Sequence, residues 1–183
     1  TLFRSQACRQ ARRNGCRMPG GGGCRPGEDR IPAVQQRRHV IEAQVDDLAK
    51  TLSRESGKLF DEARAEVIEG LHMVQYVYGT ARQPIGECVA SEIEAKDLYV
   101  RRKPRGVVAV ITPWNFPLNQ ITLKVAPALV AGCTVVLKPS EVAPINAMIL
   151  AEVIHEVGFP PGVFNLINGA GPLVGEALAG HPE

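Results

Sequence analysis

The chain has 183 residues, of which 45% are hydrophobic, and its formal net charge is +2. This length is sufficient for one domain with a hydrophobic core, alone or with an appended segment. The longest apolar stretch, residues 125–137, is interrupted by Pro127, Gly132 and Thr134. It is well short of the roughly 20 apolar residues that a membrane span needs, so no membrane association is predicted.

Residues 1–32 are predicted to be a disordered, basic leader. Residues 1–38 contain nine arginines against two acidic residues, a net charge of +7, whereas residues 39–183 contain 12 Lys and Arg against 17 Asp and Glu, a net charge of −5. The leader has almost no large apolar residue after Phe3, so burial cannot offset its ordering entropy. Its arginines leave non-specific phosphate binding open as an alternative, but no specific nucleic-acid partner is expected.

Three of the five cysteines, Cys8, Cys16 and Cys24, recur every eight residues in the leader. No histidine lies among them and no pair has the two-residue spacing of a zinc site, so no metal is predicted. The five cysteines form no disulfide-like framework, which favours a cytoplasmic protein. The first residue is Thr1 rather than Met, which indicates an incomplete chain.

Two amphipathic helices are predicted within residues 33–80. Ile41, Val45, Leu48 and Leu52 recur at helical spacing, and Gly57 provides the stop of the first helix. Because the connection is short, the second helix should run antiparallel to the first. Its apolar stripe consists of Phe60, Ala63, Val67, Leu71, Val74 and Tyr78.

A β-hairpin is predicted over residues 87–103. Glu87–Ile93 and Leu98–Lys103 are rich in β-branched or aromatic residues and flank a polar break at residues 94–97. Both segments carry charged residues, so we expect an exposed ribbon that pairs with another surface.

From Gly106 onward, short β-branched runs alternate with helical segments. The runs Val107–Ile111, Thr134–Leu137 and Val163–Ile167 are typical of strands buried on both faces. Leu118–Val130 and Ile145–Val157 are the helical spacers, the second with an inner stripe of Ile145, Ile149, Val153 and Ile154, and Gly171–Ala179 begins a third helix. This alternation predicts an α/β fold, with a partial Rossmann-like parallel sheet and right-handed crossovers over residues 106–183, preceded by the two helices and the β-hairpin. Residues 33–183 would form this single, incomplete domain.

Polar motifs follow each predicted strand, at residues 112–117, 138–141 and 168–172. In a parallel sheet these loops gather on one rim, where ligands bind. Asn115 lies between two prolines that restrict the loop, as an electrostatic stabiliser would require. The alternatives are that Trp114 and Phe116 belong to the core, that Lys138 and Glu141 form a surface ion pair, and that Gly169 and Gly171 only shape a turn.

These motifs resemble the aldehyde dehydrogenase superfamily. The resemblance is strong over residues 104–182, extends over residues 39–103 and is absent before about residue 33. The blocks that carry it are Pro113–Pro117, Lys124–Leu129, Gly132–Glu141, Gly158–Asn165 and Gly171–Gly175.

The resemblance implies an NAD cofactor, with NADP possible. The main chain at Ile111, Thr112, Pro113 and Trp114 would line the nicotinamide side, and Lys138 and Glu141 would hydrogen-bond the adenosine ribose. Glu141 would repel a 2′-phosphate, although Lys138 and Ser140 could accommodate one. The glycines and proline that would allow close approach around the adenine are Gly171, Pro172 and Gly175.

The resemblance also implies oxidation of an aldehyde to a carboxylic acid, in which a cysteine attacks the aldehyde and a glutamate activates water. Asn115 matches the amide that stabilises the oxyanion. The nucleophile and the base are expected after Glu183, so the fragment should be inactive, and Cys133 is expected to be a small core residue.

The partners implied are a small-molecule aldehyde and, for the complete enzyme, further copies in a homo-oligomer. The alternatives are an inert nucleotide- or partner-binding module and an acylating or acyl-phosphate reductase of the same superfamily.

Overall fold

The computed structural model describes residues 41–81, 83, 86–93, 96 and 98–182. The basic leader, its three cysteines and residues 33–40 of the predicted first helix lie outside the described residues. Residues 41–43 are helical, and the helices and strands that follow lie within residues 45–179.

Two helices precede the sheet, α1 (Val45–Ser56) and α2 (Phe60–Thr80). Gly57 ends α1 in the left-handed region at φ 75°, which confirms the predicted stop. Most of the predicted apolar positions are buried, but Phe60 is 39% exposed, so the assignment of this residue to the stripe was wrong. It is the first residue of α2, next to the three-residue connection from α1. Glu66 is buried instead, at 2% exposure.

A separate antiparallel ribbon follows, built from β1 (Gly86–Val89) and β2 (Leu98–Arg101). Gly86 pairs with Arg101 and Val89 with Leu98. The predicted hairpin is confirmed, with shorter strands. All four residues of β1 are exposed, as are Leu98, Tyr99 and Val100 of β2.

The main sheet contains β3 (Val107–Ile111), β4 (Thr134–Lys138) and β5 (Phe164–Leu166), in the order β3-β4-β5. Both pairings are parallel, which confirms the prediction. Every residue of β4 is buried, whereas β3 and β5 are partly exposed. The expectation that all three strands are buried on both faces was therefore wrong, because β3 and β5 each pair with only one described strand.

The crossover helices are α3 (Asn119–Val130) and α4 (Ile145–Glu156). α1 packs on α2 and α4, and α2 packs on α3. A Cβ atom at Gly70 of α2 would lie 3.2 Å from the Thr122 hydroxyl oxygen of α3, so the glycine permits this close approach. The helix pair therefore packs on both crossover helices. None of the described helices is long and apolar enough to cross a bilayer.

Two helical details differ from the sequence prediction. Ile145 is 47% exposed rather than part of the inner stripe of α4, because it lies at the start of that helix, whereas Val153 and Ile154 are buried. The third helix begins as a π-helical turn, Gly171–Gly175, before a short α5 (Glu176–Ala179). The Glu176 N–H donates to the Gly171 carbonyl five residues earlier, which is the π-helical bond.

We predict that Leu52→Ala lowers the free energy of unfolding by about 2–5 kcal/mol, because Leu52 of α1 is fully buried and its removal leaves a cavity. The matched control is Leu59→Ala, at a position 72% exposed, which should change stability by less than about 0.5 kcal/mol. Urea unfolding followed by circular dichroism measures both values. Equal effects of the two substitutions would contradict the packing of α1 described above.

Candidate functional site

The loops after β3, β4 and β5 lie at one edge of the sheet because the three strands are parallel. We call these loops, residues 111–117, 138–141 and 168–175, the rim. Ile111 and Lys138 are paired in register at the strand ends, and the Thr112 N–H donates to the Lys138 carbonyl at 3.2 Å. Backbone pairing therefore fixes the first two loops side by side.

The centre of the rim is an ion pair between Lys138 and Glu141. The Lys138 Nζ lies 2.7 Å from the Glu141 Oε2, and the Lys138 side chain is only 3% exposed, against 44% for Glu141. The alternative of a surface ion pair is therefore wrong for the lysine. An ammonium has three donors, and among the described residues Glu141 is the only hydrogen-bond partner of this one. Two donors of a buried cation are left for other groups.

Glu141 also joins the second loop to the third. Its Oε1 accepts a hydrogen bond from the Gly171 N–H at 2.8 Å. The hydrogen bond from Lys138 and that from Gly171 stabilise the carboxylate and lower its pKa from 4.5 to about 2. Glu141 is therefore ionised at neutral pH.

Two residues next to this pair in the rim carry hydroxyl groups, one without a hydrogen-bond partner among the described residues and one with a partner. The Thr112 residue is 3% exposed, and its Oγ1 has no hydrogen-bond partner among the described residues. The Ser140 Oγ accepts from the Val142 N–H at 3.2 Å, which fixes the turn after Lys138. A buried hydroxyl without a partner is costly, so Thr112 carries a polar atom whose hydrogen bond the described residues leave unmade.

The Asn115 loop is exposed. Trp114 and Phe116 are 55% and 46% exposed, so the alternative that they belong to the core was wrong. The loop is tied to the helix pair, since the Lys58 Nζ donates to the Asn115 carbonyl at 2.8 Å and to the Glu66 Oε2 at 2.6 Å.

Sequence reasoning missed both Lys58 and Glu66. One signal was available: Glu66 falls between Ala63 and Val67 on the apolar stripe of α2, where an ionisable side chain requires a partner.

The glycines of the third loop differ in what they require. Gly169 has φ 153°, and a Cβ there would overlap the Val174 side chain, so its role in shaping the turn is supported. A Cβ at Gly171 would make ordinary contact with Glu141, and one at Gly175 would meet nothing within 4 Å. Pro172 between them is exposed.

The structure thus brings Thr112, Lys138, Glu141 and Gly171 together through hydrogen bonds, while Asn115 is held separately by Lys58. Within the described ranges, no group of three or more His, Cys, Asp and Glu side chains could hold a metal ion.

Comparison with known proteins identifies the family of the chain. The model of the aldehyde dehydrogenase family matches residues 19–183, so the expectation that the resemblance is absent before about residue 33 was wrong. The chain belongs to the aldehyde dehydrogenase family. A 3-succinoylsemialdehyde-pyridine dehydrogenase of a Pseudomonas species is 42% identical over 160 residues, which cover 85% of this chain and 32% of that protein. Succinate-semialdehyde dehydrogenase [NADP(+)] GabD of Escherichia coli is 40% identical over 137 residues, which cover 75% of this chain and 28% of that protein.

Solved structures give the same result. The betaine aldehyde dehydrogenase of Staphylococcus aureus in complex with NAD+ superposes with a TM-score of 0.88 at 36% identity, over 96% of this chain and 35% of that chain. The chain spans about a third of the length of the relatives that it matches.

The low pKa of Glu141 predicts a pH-dependent contribution to stability. A carboxyl whose pKa falls on folding stabilises the protein above its unfolded pKa of 4.5, and this contribution is lost as the pH falls through the folded value of about 2. The stability difference between the wild type and Glu141→Gln should therefore shrink between pH 4.5 and 2. Urea unfolding at a series of pH values measures it.

The matched control is Glu152→Gln, at an exposed position of α4 where no hydrogen bond to the described residues is lost. A difference for Glu141→Gln that stays constant over this pH range would show that the carboxylate is not held by Lys138 and Gly171 in solution.

Proposed function

We propose that the rim binds the coenzyme of an NAD(P)-dependent aldehyde dehydrogenase, which oxidises an aldehyde to a carboxylic acid. Membership of the family and the similarity to an enzyme in complex with NAD+ support this proposal. The observation that carries it is the buried Lys138 ammonium, which is paired with the Glu141 carboxylate at the end of the central strand. The two groups form a donor and an acceptor side by side, as recognition of a sugar hydroxyl pair requires.

The residues present fit such a ligand. Lys138 has two donors without partners among the described residues, and the buried Thr112 hydroxyl has none either. In the proposed assignment, Lys138 and Glu141 bind the adenosine ribose, with Ser140 fixing their turn. The main chain at residues 111–114 lines the nicotinamide side. In the same assignment, Gly171, Pro172 and Gly175 allow close approach around the adenine, because neither glycine carries a side chain.

Glu141 favours NAD over NADP in this assignment. Its pKa of about 2 keeps it negatively charged at neutral pH, and its two oxygens still have lone pairs available to ribose hydroxyls. A 2′-phosphate at the same position would face this charge at close range, and the repulsion lowers affinity. Lys138 offsets part of that repulsion, which leaves NADP as the second cofactor; the related E. coli enzyme is named for NADP(+).

Asn115 is the catalytic residue that we assign to this chain. When bound, the nicotinamide would supply the acceptor for the hydride that leaves the carbon once a nucleophile has added to the aldehyde. The Asn115 amide would donate a hydrogen bond to the aldehyde oxygen as negative charge develops there, a contribution of about 3–4 kcal/mol in comparable sites. Asn115 is exposed at the rim, and no hydrogen bond joins its side chain to the described residues, so the amide is available for a ligand.

Neither cysteine among the described residues is placed to be the nucleophile. Cys133 is 5% exposed and precedes β4, at the amino end of the sheet, about 16 Å along the strand from the rim. Cys88 lies in the exposed ribbon. We therefore propose that the nucleophile, like the general base, is not provided by these residues.

The exposed ribbon supports a homo-oligomer of the complete enzyme. An isolated two-stranded ribbon is at best marginally stable in water, and this one exposes Val89, Tyr99 and Val100. A second copy of the chain would cover these side chains.

The cofactor assignment predicts how two substitutions change binding. Glu141→Gln should weaken NAD+ binding roughly tenfold, because a charge-assisted acceptor is lost, and should raise NADP+ affinity relative to NAD+. Lys138→Ala should weaken both cofactors. Isothermal titration calorimetry of the chain with each cofactor measures these changes, with Glu152→Gln as the control. An unchanged ratio of NAD+ to NADP+ affinity in Glu141→Gln would remove Glu141 from the ribose site.

We also predict that the 183-residue chain alone forms no NADH from aldehydes, because neither described cysteine can act as the nucleophile. The measurement is absorbance at the NADH band with NAD+ and several aldehydes. NADH formation that persists in Cys88→Ala and Cys133→Ala would show that another residue of the chain acts as the nucleophile.

A further inference from the structure

Lys58 lies in the three-residue connection between α1 and α2. Gly57 turns the chain through the left-handed region, and the Ser53 hydroxyl donates to the Lys58 carbonyl at 2.7 Å. The main chain of Lys58 is therefore fixed from both sides. Its side chain crosses from the helix pair to the rim, and only 17% of it is exposed.

The Lys58 ammonium makes three contacts that join these parts. It lies 2.6 Å from the Glu66 Oε2, donates to the Asn115 carbonyl at 2.8 Å, and lies 4.5 Å from the centre of the Phe116 ring. The last contact is a cation–π interaction. Among the described residues, the bond to Asn115 is the only hydrogen bond made by residues 113–115.

Glu66 holds the other end of the same loop. Its side chain is fully buried, and its Oε1 accepts hydrogen bonds from the Leu118 N–H at 2.9 Å and the Asn119 N–H at 3.2 Å. These N–H groups lie at the start of α3, where the helix dipole favours a negative charge. The Lys58–Glu66 ion pair thus fixes the loop at two places, at Asn115 and at the start of α3.

We infer that Lys58 and Glu66 are positioning residues for Asn115. They hold its main chain at a fixed distance from the start of α3, so that its side chain extends from a fixed position. The importance of this position for catalysis rests on the proposed function, because a displacement of about 1 Å in a catalytic group can reduce a rate 100-fold. The restraint itself does not depend on that function.

Trp114 is the only tryptophan in the chain and is the neighbour of Asn115, so its fluorescence reports on this loop. Lys58→Met keeps the length of the side chain up to Cε but removes the ammonium. In the folded chain without denaturant, Trp114 should lose steady-state anisotropy and gain a motion on the nanosecond scale or faster in time-resolved anisotropy. The matched control is Lys50→Met, whose partner Asp47 is exposed and distant in sequence from the loop; it should leave the anisotropy unchanged.

If Lys58 only stabilised the fold, Lys58→Met would lower the urea midpoint without altering the Trp114 anisotropy of the folded state. That result would overturn the inference. Lys58→Met leaves Glu66 buried without its cation, which can prevent folding. The double variant Lys58→Met/Glu66→Gln avoids this problem, because the amide oxygen of Gln still accepts from the start of α3 and no buried charge is left. It should show the same loss of anisotropy, and a folded double variant with wild-type anisotropy would overturn the inference as well.

Titration of the same proteins with NAD+ separates this inference from the proposed function. Loss of anisotropy in Lys58→Met supports the positioning role even where the wild-type chain binds no NAD+, a result that would contradict only the cofactor assignment. Binding of NAD+ by the wild type together with unchanged anisotropy in Lys58→Met would contradict only the positioning role.

Discussion

Carboxylates from elsewhere in the chain satisfy the main-chain N–H groups at the start of each helical segment that follows a strand of the parallel sheet. Glu66 accepts from the start of α3, Glu55 from the start of α4, and Glu141 from the start of the π-helical turn. None of the three segments has a side-chain cap of its own. Because unsatisfied N–H groups at a helix start require partners, these three contacts stabilise the start of each of the three helical segments.

Two of these carboxylates also form ion pairs with lysines of the candidate site. Glu66 retains Lys58, and Glu141 retains Lys138, so each capping interaction also places an ammonium at the carboxyl end of a strand. The Lys58–Glu66 pair is largely buried; such a pair is rarely a large net source of stability, but removal of one partner is strongly destabilising. The buried Glu66 carboxylate requires a cation, and this requirement keeps Lys58 in place. Lys58 in turn orders the exposed loop around Asn115, which has no hydrogen-bond network of its own among the described residues.

The sequence predicted the features that depend on local patterns. β-branched runs and helical spacers identified the three parallel strands and both crossover helices with boundaries accurate to one residue, and Gly57 marked the end of α1. It did not predict the burial of Glu66, the exposure of Ile145 or the contact between Lys58 and Asn115, which lie 57 residues apart. These depend on how α1 and α2 pack against the sheet, and no periodicity in a single segment encodes that packing.

The same distinction applies to Glu141. Its position after a buried strand was readable from the sequence, but its connection to Gly171, 30 residues later, was not. A carboxylate has about four acceptor positions, and Lys138 and Gly171 each occupy one of them. Glu141 can therefore hold two loops together and still accept hydrogen bonds from a ribose. Selectivity between the two cofactors, as we propose it, would then be a property of the interaction that shapes the rim, since the charge that repels a 2′-phosphate is the charge that holds the loops.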